Sequence, residues 1–185
     1  MFTHPFNING LNNTKKLLHS KQAKIHILGG AGSGKTTIAK RLSVRLSIPH
    51  YDLDDIYWNP AKEKYIKQPA CLRDQQLAQA VEENAWIIEG VYWTWTAIVF
   101  DASDIIIFLD VPLWLRQARV IKRYFRNKIN NGWRNRQTLK CTYTILMENF
   151  DYERSKIDIQ KHLLRHKQKV ITCQCLKELE KLLSL

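Results

Sequence analysis

Short apolar runs and helical stripes alternate along the chain from Lys24 onward. Lys24 to Leu28 (KIHIL) is apolar and rich in β-formers, and it runs directly into Gly29. Beyond a glycine-rich stretch, Ile38, Leu42 and Leu46 fall on one stripe, with Lys40, Arg41 and Arg45 elsewhere, which predicts a helix over 36–46. Pro49 breaks that helix and opens a short strand toward Asp52. Leu72, Leu77, Ala80 and Val81 predict a helix over 68–83, and Trp86 to Ile88 is strand-like, ending at Glu89-Gly90. The continuous apolar run Ile105 to Leu109 (IIIFL) is the pattern of a strand covered on both faces.

The second half continues the alternation. Pro112 suits the first turn of a helix from Leu113 to about Lys128. Asn130-Asn131-Gly132 signals a turn, and a longer helix follows over about 136–165, with a possible break near 149–152. Val170 to Thr172 reads as the last strand and 176–183 as the last helix. Strands alternating with helices predict an α/β domain with a parallel sheet and right-handed crossovers.

The length of 185 residues fits one domain with a full core. No linker follows residue 23, so 1–23, with its Asn-rich piece Asn7 to Asn13, is read as an N-terminal extension and 24–185 as the domain. Cys71, Cys141, Cys173 and Cys175 show no metal-binding spacing and read as reduced thiols. No apolar stretch approaches a membrane span, and no secretory leader is visible, so a cytoplasmic protein is expected. The formal net charge is +12. From Trp114 to Lys169 there are fifteen Lys and Arg against four Asp and Glu. Such a face draws anionic nucleotides toward a site, binds nucleic acid, or is simply a solvated helical surface.

The chemistry concentrates after the first strand. Gly29-Gly30-Ala31-Gly32-Ser33-Gly34-Lys35-Thr36 fits G-x-x-x-x-G-K-[ST] at every fixed position. Glycines let successive backbone N–H groups converge on one centre, and the helix that starts near Lys35 aims its free amides at the same point. In this pattern the lysine reaches the β- and γ-phosphates of a nucleoside triphosphate, and the Thr36 hydroxyl is a magnesium ligand, with Thr37 beside it. ATP and Mg2+ are therefore expected. The glycines do not run G-x-G-x-x-G, which disfavours a dinucleotide fold. No guanine-reading N-K-x-D is present.

Three further groups point to phosphoryl transfer. Asp52-Leu53-Asp54-Asp55 ends the second strand, on the carboxyl edge where open α/β sheets bind ligands. Transfer to a hydroxyl needs a carboxylate to orient or deprotonate the acceptor, a role suited to Asp54 with Asp52 beside it. Glu89, Gly90 and Tyr92 close the third strand, where Glu89 would support the metal, Gly90 would let a substrate approach the backbone, and Tyr92 or Trp58 would line a pocket. After Asp110-Val111-Pro112, Arg116, Arg119 and Arg123 lie on adjacent turns of one helix. Arg126, Arg134 and Arg136 flank the expected turn, as a small lid over about 126–138 would require; an acceptor-binding insert is expected over about 55–84. Tyr57, Trp58, Trp86, Tyr92, Trp93 and Trp95 cluster in the acceptor half, with core packing as the default reading.

The blocks KIHILGGAGSGKTTIAKRLS, IPHYDLDDIYW, WIIEGVYW and LDVPLWLRQARVIKRYFR together resemble the adenylate-kinase-like family often labelled DNA topology modulation proteins (FlaR-like). The resemblance implies a nucleoside-monophosphate-kinase fold, with strand order 2-3-1-4-5. More distantly, Asp52-x-Asp54 is similar to the D-x-D of shikimate- and gluconate-type kinases, which implies service to the acceptor hydroxyl and magnesium. Asp110-Val111-Pro112 with Arg119 and Arg123 is similar to the adenylate kinase stretch that contacts the ATP base and phosphates. Adenylate kinases carry D-G-[FY]-P-R at the third strand; Glu89-Gly90-Val91-Tyr92-Trp93 lacks that Pro-Arg pair.

The expectation is a magnesium- and ATP-dependent small-molecule kinase. The competing expectations are a nucleotide-binding regulator that contacts DNA or RNA through the basic second half, and a catalytically inert partner-binding module.

Overall fold

A computed structural model describes residues 20–59, 66–131 and 138–174. Its sheet has five parallel strands in the order β2-β3-β1-β4-β5, the order the resemblance implies. In chain order the elements are β1 (Lys24–Gly29), α1 (Lys35–Leu46), β2 (His50–Asp52), α2 (Leu53–Tyr57), α3 (Ala70–Glu82), β3 (Trp86–Gly90), α4 (Ala97–Ala102), β4 (Ile105–Leu109), α5 (Leu113–Asn131), α6 (Leu139–Leu164) and β5 (Val170–Cys173).

The two central neighbours of β1 explain the apolar runs. β3 and β4 are buried along their whole lengths because helices cover both faces of the sheet. On one face Ile25, Ile27, Ile87 and Ile107 pack against Ile38, Leu42 and Leu46 of α1. On the other, Leu28, Ile106 and Phe108 meet Phe100, Tyr152, Ile159 and Leu163. A third cluster, around Leu53, Leu77, Trp86 and Val99, seats α2, α3 and α4.

Several expectations need correction. α5 runs through Asn130 and Asn131, where a turn is signalled; the rest of the expected lid, 132–137, lies outside the described residues. α6 is continuous through 149–152. The polar residue that suggests a break, Asn149, is buried and hydrogen-bonded, so it does not compete with the helix. The short helices α2 and α4 carry too few turns to show a period. Most of the N-terminal extension, the expected last helix and part of the acceptor insert (60–65) fall outside the described residues.

One buried group makes the sheet acid-sensitive. His26, fully buried on β1, donates Nδ1–H to the Ile88 carbonyl at 2.9 Å, while its Nε2 has no partner. Burial pushes its pKa down from 6.5 to about 4, against the Ile88 carbonyl and Glu89, which favour the cation. At this position the unfolded chain therefore takes up a proton between pH 6.5 and about 4 that the native chain refuses, and the contribution of His26 to stability falls as pH falls through that window. The expected loss is on the order of 3 kcal/mol. Urea unfolding of the parent and of His26→Leu at pH 7 and pH 4 reads it as a difference, because Asp52, held up at about 7, works in the opposite direction in both proteins. Acidification should cost the variant less than the parent by about that amount, and an equal pH response in the two would contradict the assignment.

Candidate active site

The loop between β1 and α1 has the shape its sequence demands. Gly32 and Gly34 take φ of 80° and 104°, left-handed values that a side chain disfavours. Gly34 is also the N-cap of α1, and no side chain caps the helix there. The first amides of a twelve-residue helix are thus left for a ligand, with the positive end of its dipole behind them. Thr36 and Thr37 lie exposed in that first turn. Lys35 Nζ lies across the loop, 3.4 Å from the Gly30 carbonyl and 3.9 Å from Glu89 Oε2.

Glu89 is the hub beside this loop. The parallel register sets it against Ile27 of β1 and Asp52 of β2. The Thr36 hydroxyl donates to Glu89 Oε1 at 2.5 Å. His50 Nε2 stands 3.8 Å from the same oxygen, an electrostatic neighbour rather than a hydrogen-bond donor. Burial would raise the Glu89 carboxyl, but His50, Lys35 and the Thr36 hydroxyl outweigh it and hold the group below its ordinary range. Asp52 behaves oppositely. Burial, and then the negative Glu89 carboxylate, push it up to about 7, with the Asp54 amide opposing. The site thus pairs one firmly anionic carboxylate with one that titrates near neutrality. A hydroxyl and two carboxylates form a hard oxygen donor set that fits magnesium.

Asp52 has a second task that accounts for its place in the sequence. As N-cap of α2, its Oδ1 accepts the Asp54 amide at 2.9 Å. That turn exposes Asp54, whose Oδ1 accepts from the Tyr92 hydroxyl at 2.8 Å. Burial and the adjacent Asp54 carboxylate raise the Tyr92 phenol, so it remains a donor. Tyr57 lies 4.8 Å from Tyr92 and 6.0 Å from Trp95, ring to ring. The Arg73 guanidinium covers Trp95 at 4.5 Å. A tyrosine-held carboxylate beside an aromatic wall therefore stands across β3 from the phosphate loop.

Gly90 plays a different part from the expected one. A Cβ there would lie 2.6 Å from Leu53 Cδ1 and 2.8 Å from Leu53 Cβ, so Leu53 fills the space assigned to a substrate. The glycine seats α2 on β3 and so places Asp52 and Asp54. Gly90→Ala is expected to destabilise the fold by roughly 1–3 kcal/mol through overpacking. Thermal unfolding measures it, and a midpoint equal to the parent's would refute this packing role.

The helix arginines do not act as one face. Arg119 Nη1 donates to the Gly32 and Ser33 carbonyls at 3.3 and 3.2 Å, which places it at the loop. Arg123 and Arg126 are exposed, while Arg134 and Arg136 lie outside the described residues. Arg116 is buried behind the loop. Asp110 pairs with Lys156 at 2.6 Å. Sequence reasoning missed His50 and Arg73. The two-residue period of β2, which sets His50 on the same side as Asp52, was the available signal for His50.

No family model matches the chain. An uncharacterised protein of Bacillus subtilis, YqaC, is 28% identical over 156 residues, spanning 83% of this chain and 86% of its own. The adenylate kinase of Thermosynechococcus vestitus is 24% identical over 169 residues, 77% of this chain and 85% of its own. Among solved structures, a gluconokinase from Sinorhizobium meliloti superposes with a TM-score of 0.53 at 11% identity, covering 89% of each chain. The chain therefore has the α/β fold of P-loop small-molecule kinases, built on a five-stranded parallel sheet.

Proposed function

We propose that the protein is a magnesium- and ATP-dependent kinase that phosphorylates a hydroxyl-bearing small molecule. The observation that carries this reading is the row Lys35, Thr36, Glu89, Asp52 and Asp54, which runs from the phosphate loop to the aromatic wall across adjacent strands. The loop amides and Lys35 bind the triphosphate. Thr36 holds the metal, with Glu89 fixing that hydroxyl and supporting the metal's water shell. Magnesium, when bound, withdraws charge from the β- and γ-phosphate oxygens. Asp54, oriented by Tyr92, aligns the acceptor hydroxyl and accepts its proton as the hydroxyl oxygen attacks the γ-phosphorus and ADP leaves. Arg119 and Arg123 neutralise charge on the transferring group.

The kinases among the relatives support the donor half of this reading and leave the acceptor open within nucleotides, nucleosides and related hydroxyl compounds. Among the described residues, no helix is long and apolar enough to cross a membrane. The basic second half serves, in this reading, to concentrate anionic substrates. The alternative, a regulator of the DNA topology modulation type, uses that same surface for nucleic acid and requires little catalysis.

ADP release measured against nucleosides, nucleoside monophosphates and sugar acids tests the proposal. Release should rise above the acceptor-free rate with at least one class. A flat response across all of them, together with a steep salt dependence of binding to duplex DNA, would favour the regulator instead.

A further inference from the structure

Behind the phosphate loop lies a polar cluster that none of the roles above uses. Arg116 of α5 is only 1% exposed, yet each of its three guanidinium nitrogens has an acceptor. Nε donates to the Val111 carbonyl at 3.0 Å, Nη1 to Asn149 Oδ1 at 2.5 Å, and Nη2 to Glu153 Oε2 at 2.5 Å. Its plane also lies 5.1 Å from the Tyr152 ring. Asn149 passes the connection on, because its Nδ2 donates to the Ala31 carbonyl of the loop at 3.1 Å. A buried cation with this many fixed partners is a rigid strut rather than a solvated charge.

The loop sequence is shaped to receive that strut. Position 30 is a free position in G-x-x-x-x-G-K-[ST], and its backbone does not take a positive φ. It is nevertheless glycine, and a Cβ there would lie 2.1 Å from Arg116 Nη1 and 3.0 Å from Tyr152 Cδ1. A Cβ on Gly32 would lie 2.6 Å from the Arg116 carbonyl oxygen. The absence of a side chain at position 30 is thus explained by Arg116 and not by the phosphate-binding pattern.

We propose that Arg116 and Asn149 are positioning residues that hold the rear of the phosphate loop. Asn149 holds the Ala31 carbonyl on the helix side, and Arg116 orients Asn149 and fills the space beside Gly30, so that the loop amides are left to face the polyphosphate. The inference rests on the proposed nucleotide reading. The same bonds join the loop to α5 and α6.

A double-mutant cycle on Gly30→Ala and Arg116→Lys tests it, read as the dissociation constants of Mg·ATP and of magnesium tripolyphosphate. Gly30→Ala should weaken both ligands about tenfold in the parent background. In the Arg116→Lys background, where the guanidinium no longer occupies that space, the same change should cost twofold or less. Asn149→Ser, which removes only the neutral amide, supplies a second arm if Arg116→Lys does not fold. It should weaken both ligands by roughly five- to tenfold, with kcat falling less than KM rises. Independent, additive effects, or a normal affinity in Gly30→Ala or Asn149→Ser, would overturn the strut while leaving the nucleotide reading intact. Absence of Mg·ATP binding in the parent protein would remove both.

Discussion

Lys35→Ala is expected to lower the acceptor-dependent turnover by roughly 10²–10³-fold, the scale for losing one preorganised cationic donor to a transferring group. The geometry gives this prediction its sharpness. The Lys35 ammonium rests between the Gly30 carbonyl at 3.4 Å and Glu89 at 3.9 Å, so it already spans the mouth of the loop. Its side chain is mostly sheltered. Arg119, another cation at the loop, is held by the Gly32 and Ser33 carbonyls. Loss of the ammonium also leaves Glu89 with less compensation, and the carboxyl should move up in pKa, because Lys35 is among the groups that hold it down. Steady-state ADP release together with a thermal melt separates the catalytic effect from unfolding. A Lys35→Ala enzyme with the parent rate would show that the loop does not hold a reacting triphosphate.

The second large effect is expected at Asp54. Asp54→Asn keeps the size of the side chain and an oxygen to accept from Tyr92, but removes the base, and transfer to the acceptor should slow by about 10²–10⁴-fold. The residue is exposed, so stability should change by about 0.5 kcal/mol or less. ATP affinity and acceptor-free hydrolysis should be preserved, because Asp54 lies across β3 from the loop and bonds to Tyr92 rather than to any loop residue. Equal losses in acceptor-dependent and acceptor-free rates would place Asp54 in the metal site instead. No loss in either would leave it as a surface carboxylate.

The elements with the strongest periodicity were legible in the chain itself. The β4 run is continuous and apolar because two helical layers cover it, and its limits in the structure match those read from the residues. The α1 stripe lies on the core, and the phosphate loop follows β1 as its glycine spacing demands. What escaped was information that exists only in three dimensions. Nothing local marks Arg116 as buried, since Arg119 and Arg123 on the same helix point to the loop and to solvent. Its burial depends on Asn149 and Glu153, residues more than thirty positions away. Asn149 misled for the same reason, because a helix-weakening residue in an exposed context becomes a strut when its amide is fully bonded. A glycine at a strand end permits a substrate to approach, and only the tertiary packing shows that Leu53 occupies that space at Gly90.

In the proposed function, backbone amides and one ammonium at the start of α1 enclose a metal-complexed polyphosphate. Calorimetric titration of the parent protein with Mg·ATP, repeated without magnesium, measures this most directly. One site with heat that weakens markedly when the metal is withheld is the predicted result. A titration indistinguishable from dilution, with magnesium present and the protein folded, would contradict it.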